Sequence, residues 1–335
     1  MNKLLKCIID KNNSYVPIWF MRQAGRYLPE FMEIREKNTN FINLCLNPEL
    51  VKDITLQPLE RFNLDAAIIF SDILMVPFGL GQKIEFKKGF GPILENIDLE
   101  KILKVDEKNF IEKLSPVYKA ISETKKLTGE KSLIGFVGAP WTILVYMLNK
   151  QSPKKDFNFN LIKKNPNLIK TLLKKIEKFI CLHIKKQVDA GADIIQVFDS
   201  WAGLLSEKDF NEFCLEPNLK IVKFIKTLNV PAICFPRGIG KNYSIFSSTV
   251  KPDCINIDYE IDPNWANNNL NNVVIQGGMD PKVLLEDKKQ IEKETKKYLE
   301  IFSKRPYIFN LGHGVLPQTK PETIEFIINL VKDNK

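Results

Sequence analysis

Short apolar runs alternate with longer amphipathic segments along almost the whole chain. The runs are continuously apolar, as is typical of strands that are covered on both faces of a parallel sheet. The segments between them repeat apolar residues at helical spacing, and Asn167–Ala190 has apolar residues on one face and lysines on the other. The pattern predicts eight strands, at Pro17–Phe20, Ala66–Phe70, Leu133–Val137, Ile194–Phe198, Ala232–Phe235, Cys254–Ile257, Val273–Gln276 and Tyr307–Asn310.

Eight strands separated by helices indicate an α/β fold of the (β/α)8 TIM barrel type. The length of 335 residues is within the range of one such barrel, and no internal repeat or low-complexity linker divides the chain. We therefore predict a single domain over residues 1–335. A doubly wound open sheet is the alternative, but its usual fingerprint, GxGxxG after a strand, is missing, and GFVGAP is not that motif.

The overall composition is that of a globular protein, with 44% hydrophobic and 27% charged residues. Lysine and arginine outnumber aspartate and glutamate by 49 to 40, which gives a formal net charge of +9. This excess is compatible with an acidic ligand. It gives no case for nucleic acid, because no basic stripe is interleaved with aromatic residues.

The six cysteines are scattered, with no CxxC or other close pair, so we expect free thiols in a reducing compartment rather than disulfides or a zinc site. Lys6 and Asp10 interrupt the first apolar run, unlike a signal peptide. The longest apolar tract, Leu133–Leu148, is shorter than the roughly 20 residues of a membrane span and is broken by glycine and proline. We interpret it as a strand, a turn and a helix, and we expect a soluble, cytoplasmic protein.

Polar residues follow the predicted strands one after another. In a barrel the carboxyl ends of the strands meet at one face, where the active site lies. We therefore predict one polar cleft from the shared placement of Arg22, Arg26, Ser71, Asp72, Tyr146, Asp199, Ser200, Arg237 and His313.

The first of these positions lies in PIWFMRQAGRYLPEF, which runs from Pro17 to Phe31. Arg22 and Arg26 are separated by small residues and form a compact cationic loop after a strand. A guanidinium is always charged and grips a carboxylate through two parallel hydrogen bonds, so the loop suits an anionic ligand. Alternatively, the two arginines pair with acidic neighbours such as Glu30 and Glu33.

Three other candidates have both a structural and a functional interpretation. Asp72, directly after AAIIFS, caps the following turn or presents an anion to N–H donors of a ligand. Tyr146 belongs to the core, since helical spacing places it with Thr142 and Ile143, or contacts a ligand. Ser200, in FDSWAG, caps the next helix or binds a ligand.

The chain has only two histidines, and their surroundings differ. His183 sits on the apolar stripe of a predicted helix, so we interpret it as structural. His313 lies in LGHGV, where flanking glycines permit close backbone approach, so we interpret it as functional.

Four stretches of the chain resemble the uroporphyrinogen decarboxylase family. They are the two signature-like stretches Pro17–Phe31 and IGFVGAPWTILVYM (Ile134–Met147), together with Thr55–Leu74 and Phe309–Pro317. The resemblance covers the chain from about Asp10 onward. It implies a carboxy-lyase of haem biosynthesis that removes CO2 stepwise from the four acetate side chains of uroporphyrinogen III, giving coproporphyrinogen III. It also implies that neither a metal nor an organic cofactor is used, and that the protein is a homodimer. From the charge pattern and the apolar tracts we expect no nucleic-acid or membrane partner.

The resemblance also implies roles for individual residues. Asp72 would bind the four pyrrole N–H groups at the centre of the macrocycle and stabilise the cation formed during the reaction. Arg22 would be the catalytic acid, although a guanidinium is a reluctant proton donor. The remaining substrate-binding residues would be Gln23, Ala24 and Gly25 through the loop backbone, Arg26, Tyr146, Ser200 and His313, with Arg35 as a weaker candidate for a further carboxylate.

Two positions depart from the pattern of the resembled family: Leu46 stands where a basic residue is expected, and Gly278 where asparagine is usual. Neither lies among the residues to which the resemblance assigns a role in the reaction. One alternative is a corrinoid or thiol methyltransferase with a related barrel fold. Such enzymes hold zinc through His and Cys, often in a His-x-Cys motif. Here, however, His313 is followed by Gly314 and Val315. A second alternative is a non-catalytic carrier of tetrapyrroles or anions.

Overall fold

The protein is an α/β fold built on a curled parallel sheet. A computed structural model describes residues 2–87, 90–153 and 157–334. Seven strands pair in parallel in the order β1-β4-β5-β6-β7-β8-β9, and β2 and β3 form a separate antiparallel hairpin. The strands are β1 (Ala66–Ile68), β2 (Ile84–Lys87), β3 (Gly91–Leu94), β4 (Ser132–Gly138), β5 (Ile194–Asp199), β6 (Ala232–Pro236), β7 (Cys254–Ile257), β8 (Val274–Gly277) and β9 (Tyr307–Ile308).

The segment around Ile18 lies between the two edges of this sheet and joins them. On one side Phe309 N donates to Pro17 O at 2.8 Å, and Ile18 forms a parallel bridge with Phe309. On the other side Asp65 N donates to Ile18 O at 2.9 Å. Residues 17–20 therefore occupy the eighth place of the ring between β9 and β1, and we call this segment the closing segment. The prediction of a (β/α)8 barrel is confirmed, with its first strand reduced to a single bridge.

Helices connect the strands and cover the outside of the sheet. The α-helices are Lys3–Ile9, Pro29–Lys37, Phe41–Cys45, Pro48–Arg61, Met75–Gly79, Leu99–Lys104, Glu107–Lys125, Pro140–Asn149, Asn160–Lys163, Pro166–Asp189, Glu207–Phe210, Glu216–Thr227, Tyr243–Val250, Pro263–Asn269, Lys288–Ile301 and Pro321–Asp333. Among the described residues, three 3-10 helices span Ala202–Leu204, Gly240–Asn242 and Pro281–Leu285, and one π-helix spans Asn211–Leu215. No helix within the described ranges is both long enough and apolar enough to cross a membrane.

Local sequence signals explain where many of these helices begin. Asp106 Oδ1 accepts a hydrogen bond from Asn109 N at 2.7 Å, and Asp287 Oδ1 accepts one from Gln290 N at 2.8 Å. Each such cap satisfies a backbone donor that the first turn leaves open, and it contributes about 1 kcal/mol. The helix Pro166–Asp189 begins instead with a proline in its first turn, where the missing N–H costs nothing.

The core lies on both faces of the sheet, as continuous apolar strands predict. Every residue of β6 and β7 is buried, and the side chains of the covering helices pack against their outer face. His183 is buried in this layer, where its Nδ1 lies 3.1 Å from the hydroxyl of Tyr118. The interpretation of His183 as structural is therefore confirmed. All six cysteines are free thiols, as predicted.

The hairpin of β2 and β3 was not predicted from the sequence. Its strand residues Ile84–Lys87 alternate between buried and more exposed positions, and they are flanked by lysines and glycines that read as a loop. Phe86 packs on Phe41 with ring centroids 4.4 Å apart, and Phe41 in turn contacts Phe70. Because these aromatic contacts are distant in sequence, local patterning did not reveal the hairpin.

Candidate active site

The loop that follows the closing segment is held by the side chain of Gln23. Its Oε1 accepts a hydrogen bond from Phe20 N, and its Nε2 donates to Ala66 O in β1, both at 3.1 Å. The hydroxyl of Tyr27 donates to Gln23 O at 2.8 Å. Gln23 is fully buried, so its side chain braces the loop, and only the loop backbone is left to face a ligand.

Arg22 has a backbone conformation that is rare for its residue type. Its φ of 62° lies in the left-handed region, which costs a side-chain-bearing residue roughly 1 kcal/mol or more. Such strain persists only where the surrounding structure enforces it, and the bracing by Gln23 supplies that constraint. Arg22 is also the residue whose guanidinium group the sequence predicts to lie in the cleft.

The arginines of this loop form no ion pair with any acid that the structure describes. Glu30, a proposed alternative partner, is instead held by Arg61, whose Nε and Nη2 donate to its carboxylate at 2.8 and 3.0 Å. The alternative in which Arg22 and Arg26 are tied to acidic neighbours is therefore wrong. Both guanidinium groups remain available for an anion.

Asp72 is a half-buried carboxylate just beyond β1. Its Oδ1 accepts a hydrogen bond from Leu74 N at 2.8 Å, so the side chain does cap the following turn. Burial raises the pKa of Asp72 to about 6, although the Leu74 N–H and the nearby Arg22 charge both oppose this shift. The second carboxylate oxygen accepts no hydrogen bond from the described residues. Asp72 therefore serves the turn and still presents an anion.

The loop after β9 brings His313 to the same place. Val315 N donates to Met21 O at 2.9 Å, which ties this loop to the residue before Arg22. Burial, and then the positive charges of Arg22 and Arg237, lower the pKa of His313 to about 3. His313 is therefore neutral at physiological pH and able to donate or accept one hydrogen bond without adding charge.

Tyr146 lies on the helix Pro140–Asn149, with its ring 6.0 Å from that of Trp201 in a T-shaped contact. Burial and the charge of Asp72 raise the pKa of Tyr146, whereas Arg22 opposes this shift. Its hydroxyl is thus a neutral hydrogen-bonding group, close enough to Asp72 and Arg22 to sense both charges.

A buried hydrogen-bond network fixes the segment of Ser200 and Trp201. The sequence did not predict this network. Asp199, the last residue of β5, accepts hydrogen bonds from Thr142 Oγ1 at 2.7 Å and from Asn218 Nδ2 at 2.9 Å. Thr142 Oγ1 accepts in turn from Trp201 N at 3.1 Å. Thr142 lies one helical turn before Tyr146, so the network fixes two candidate binding residues to one another.

The hydroxyl of Ser200 caps no helix. The following 3-10 helix has Trp201 at its N-cap position, and no side-chain hydrogen bond is made there. The structural interpretation of Ser200 is therefore not supported, and its half-buried hydroxyl is left for a ligand. Asp199 itself is fully buried, and burial raises its pKa to about 6.

The predicted residues differ in how firmly the structure joins them. Desolvation lowers the pKa of Arg22, and the nearby Arg26 and Arg237 act in the same direction, whereas Asp72 and Tyr146 oppose the shift. The backbone bond from Val315 N to Met21 O places His313 near this group, and the bond from Arg237 N to Asp199 O places Ser200 near it. Ala24 and Gly25 lie half-buried in the same loop. The weaker candidate Arg35 donates to Asn38 O and lies 5.7 Å from the ring of Phe41.

Sequence and structure comparisons give the family of this chain. The profile described as uroporphyrinogen decarboxylase (URO-D) matches residues 1–334. The chain belongs to the uroporphyrinogen decarboxylase family. A relative from Rickettsia bellii named uroporphyrinogen decarboxylase is 41% identical over 98% of both chains. Another of that name, from Orientia tsutsugamushi, is 42% identical over 99% of this chain and 98% of its own.

Family membership confirms the resemblance drawn from the sequence, including the class of enzyme, a carboxy-lyase of porphyrin biosynthesis. A methyltransferase from Methanosarcina mazei has a similar structure, with a TM-score of 0.79, 17% identity, and coverage of 98% of this chain and 97% of its own. At that identity the likeness shows the barrel fold alone. Within residues 2–87, 90–153 and 157–334, no group of three or more His, Cys, Asp or Glu side chains is placed to hold a metal ion.

Proposed function

We propose that this member of the uroporphyrinogen decarboxylase family removes CO2 stepwise from the four acetate side chains of uroporphyrinogen III, giving coproporphyrinogen III. The family profile and the names of the relatives support this activity. The observation that carries it in the structure is the half-buried carboxylate of Asp72, whose Oδ2 accepts no hydrogen bond from the described residues. It lies close to the charge of Arg22, and Arg22 has no ion-pair partner among those residues. A polyacid with inward-pointing N–H donors is complementary to this arrangement.

Binding is the first task of the site. Arg22 and Arg26 would hold carboxylates of the substrate through paired hydrogen bonds. The loop backbone at Gln23, Ala24 and Gly25 would contact the ligand. The neutral hydroxyl and imidazole groups of Tyr146, Ser200 and His313 would then fix the pose without adding charge.

Decarboxylation without a cofactor needs an electron sink, and a pyrrole ring protonated on carbon is one. The protonated ring is a cation, the carbon–carboxylate bond breaks to release CO2, and the electron pair neutralises the ring. A second proton on the exocyclic carbon then forms the methyl group, and loss of the first proton from the ring carbon restores the neutral aromatic pyrrole. Asp72, with acceptor oxygens and a negative charge, would bind the pyrrole N–H groups and stabilise the cation in a site of low dielectric constant.

Arg22 is the proposed source of the first proton. A guanidinium has a pKa above about 12 in water and is a weak acid there. The Arg22 side chain is exposed to the open cleft, and desolvation by the surrounding protein lowers its pKa, which is the direction that proton donation requires. A water molecule or a substrate carboxyl group would act as the relay.

The decisive experiment is anaerobic incubation of the purified protein with uroporphyrinogen III, followed by mass spectrometry of the porphyrins after oxidation. We expect successive losses of four CO2 units that end at the tetracarboxylate. A protein that binds the substrate but releases no CO2 would be a carrier, and the proposal would be wrong. A methyltransferase would instead leave uroporphyrinogen unchanged and contain zinc by elemental analysis.

We further propose that residues 1–335 form one domain, that two copies associate as a homodimer, and that the protein works in the cytoplasm. The homodimer rests on the family resemblance. The free, mostly buried thiols support a reducing compartment. Light scattering on a size-exclusion column would test the dimer, which a monomeric mass at micromolar concentration would contradict.

A further inference from the structure

Arg237 stands on the opposite side of the barrel from the arginine loop. It directly follows β6, and β6 is four places from the closing segment in either direction around the ring. Arg22 and Arg26 follow the closing segment itself. The carboxyl ends of the strands meet at one face, so the two sets of guanidinium groups flank the cleft from opposite walls.

The backbone of Arg237 is fixed on three sides. Its N–H donates to Asp199 O at 3.1 Å, and its carbonyl accepts from Gly203 N at 3.0 Å. Gly238 N donates to Asp258 Oδ2 at 2.7 Å. The approach is so close that a Cβ on Gly203 would lie 2.6 Å from Gly238 O, so only glycine fits there. These contacts make the position rigid, as a binding group requires.

The guanidinium of Arg237 is half-buried and makes no hydrogen bond or ion pair with the residues that the structure describes. The nearby Asp258 does not pair with it, because its oxygens are occupied by Gly238 N, Tyr243 Oη at 3.0 Å and Glu260 N at 3.0 Å. Arg237 directly follows β6 at the face where the carboxyl ends of the strands meet, the face at which Arg22 and His313 also lie. Its positive charge contributes to lowering the pKa of both residues. The guanidinium of Arg237 is therefore a cation without an anionic partner among the described residues.

We propose that Arg237 binds a propionate carboxylate on the side of the macrocycle that lies away from Arg22 and Arg26. This inference rests on the proposed function. A ring with carboxylates on its whole circumference is held in place only if cations contact it from both walls. The propionates suit this role because they are not removed, so one is present at this wall in each of the four decarboxylations.

The test compares Arg237→Gln with Arg237→Lys and with Lys241→Gln, which removes one exposed charge from the same loop. We expect Arg237→Gln to raise KM about tenfold or more and to change kcat less than threefold, since a charged hydrogen bond is lost from binding. Arg237→Lys should raise KM about threefold, because a point charge replaces the bidentate grip. Lys241→Gln should match the wild type.

Binding of the product gives a second readout that needs no turnover. Coproporphyrinogen III keeps its four propionates, so its Kd should rise about tenfold in Arg237→Gln, measured anaerobically by ultrafiltration. A KM and a Kd within twofold of the wild type would overturn the inference, as would an equal loss in Lys241→Gln. Should Arg237→Gln fail to fold, an unchanged KM in Arg237→Lys would overturn it as well. A wild type that releases no CO2 would refute the proposed function instead, so the two failures are distinguishable.

Discussion

Gly314 lies so close to Arg22 that a Cβ at this glycine would stand 2.4 Å from Arg22 Cδ and 2.7 Å from its Cγ. The two residues belong to opposite ends of the chain. Arg22 follows the closing segment and Gly314 follows β9, and the bond from Val315 N to Met21 O joins their loops where the barrel closes. The absence of a side chain at position 314 therefore makes room for the Arg22 side chain where it lies.

The variant Gly314→Ala tests this relationship. The added methyl group must displace the Arg22 side chain, and a shift of about 1 Å in a catalytic group costs up to about a hundredfold in rate. We expect kcat/KM for uroporphyrinogen to fall roughly ten- to a hundredfold. Gly129→Ala is the control, because a Cβ there meets no atom within 4 Å. It should cost stability through its φ of 57°, yet retain full activity.

Asp72→Asn should lose most of kcat, by a hundredfold or more, because it removes the anion opposite the developing cation. The wild type should also lose activity as the pH falls through about 6, where the Asp72 carboxylate takes up a proton. A pH profile of kcat measures both effects, and any residual activity of Asp72→Asn should lack this acidic limb. Turnover near that of the wild type would remove Asp72 from the mechanism.

The same variant should be more stable than the wild type at neutral pH. The pKa of Asp72 is raised in the folded state, so its ionised form opposes folding above pH 6. Asparagine carries no such charge, and we expect a gain of roughly 1 to 3 kcal/mol at pH 7. The gain should shrink as the pH falls from about 6 toward 4 and vanish below the unfolded-state pKa. Urea unfolding at pH 7 and at pH 4 measures it, and equal stability at pH 7 would contradict it.

Arg26→Ala should act mainly on binding. We expect KM to rise about tenfold with little change in kcat, because the guanidinium holds a carboxylate that does not react. Arg61→Ala is the matched control, since Arg61 pairs with Glu30 at the surface and should leave both constants unchanged. An unchanged KM in Arg26→Ala would count against its role in the cleft.

Thr142 and Asp199 should act as positioning residues. Thr142→Val keeps the side-chain shape but removes the hydroxyl that joins Asp199 to Trp201 N. We expect a loss of about tenfold in kcat/KM. Stability should fall by roughly 1 to 3 kcal/mol, because the buried Oδ1 of Asp199 loses its hydrogen bond while Oδ2 keeps that from Asn218. Thr142→Ser keeps the hydroxyl and should restore activity. If the serine variant is as impaired as the valine variant, packing rather than the hydroxyl positions the site.

The strands of the barrel were predictable because each is a continuous apolar run, and seven of the eight predicted runs form strands within a few residues of their predicted limits. The exception is instructive. Pro17–Phe20 forms only one bridge. Pro17 lacks an N–H, and the N–H groups of Ile18 and Phe20 donate to the side chains of Asp65 and Gln23 instead of to a neighbouring strand.

The amino-acid sequence by itself determined the family, the apolar strands, and the polar residues that end them, because these are properties of residue type and spacing. Only the tertiary structure decided which charges are free. Glu30 is an acidic neighbour of Arg26 in sequence but pairs with Arg61, and Asp199 is bonded to Thr142 and Asn218 rather than turned to the cleft. Hydrogen bonds and burial depend on groups that are far apart in the chain, so spacing along the sequence could not assign these partners.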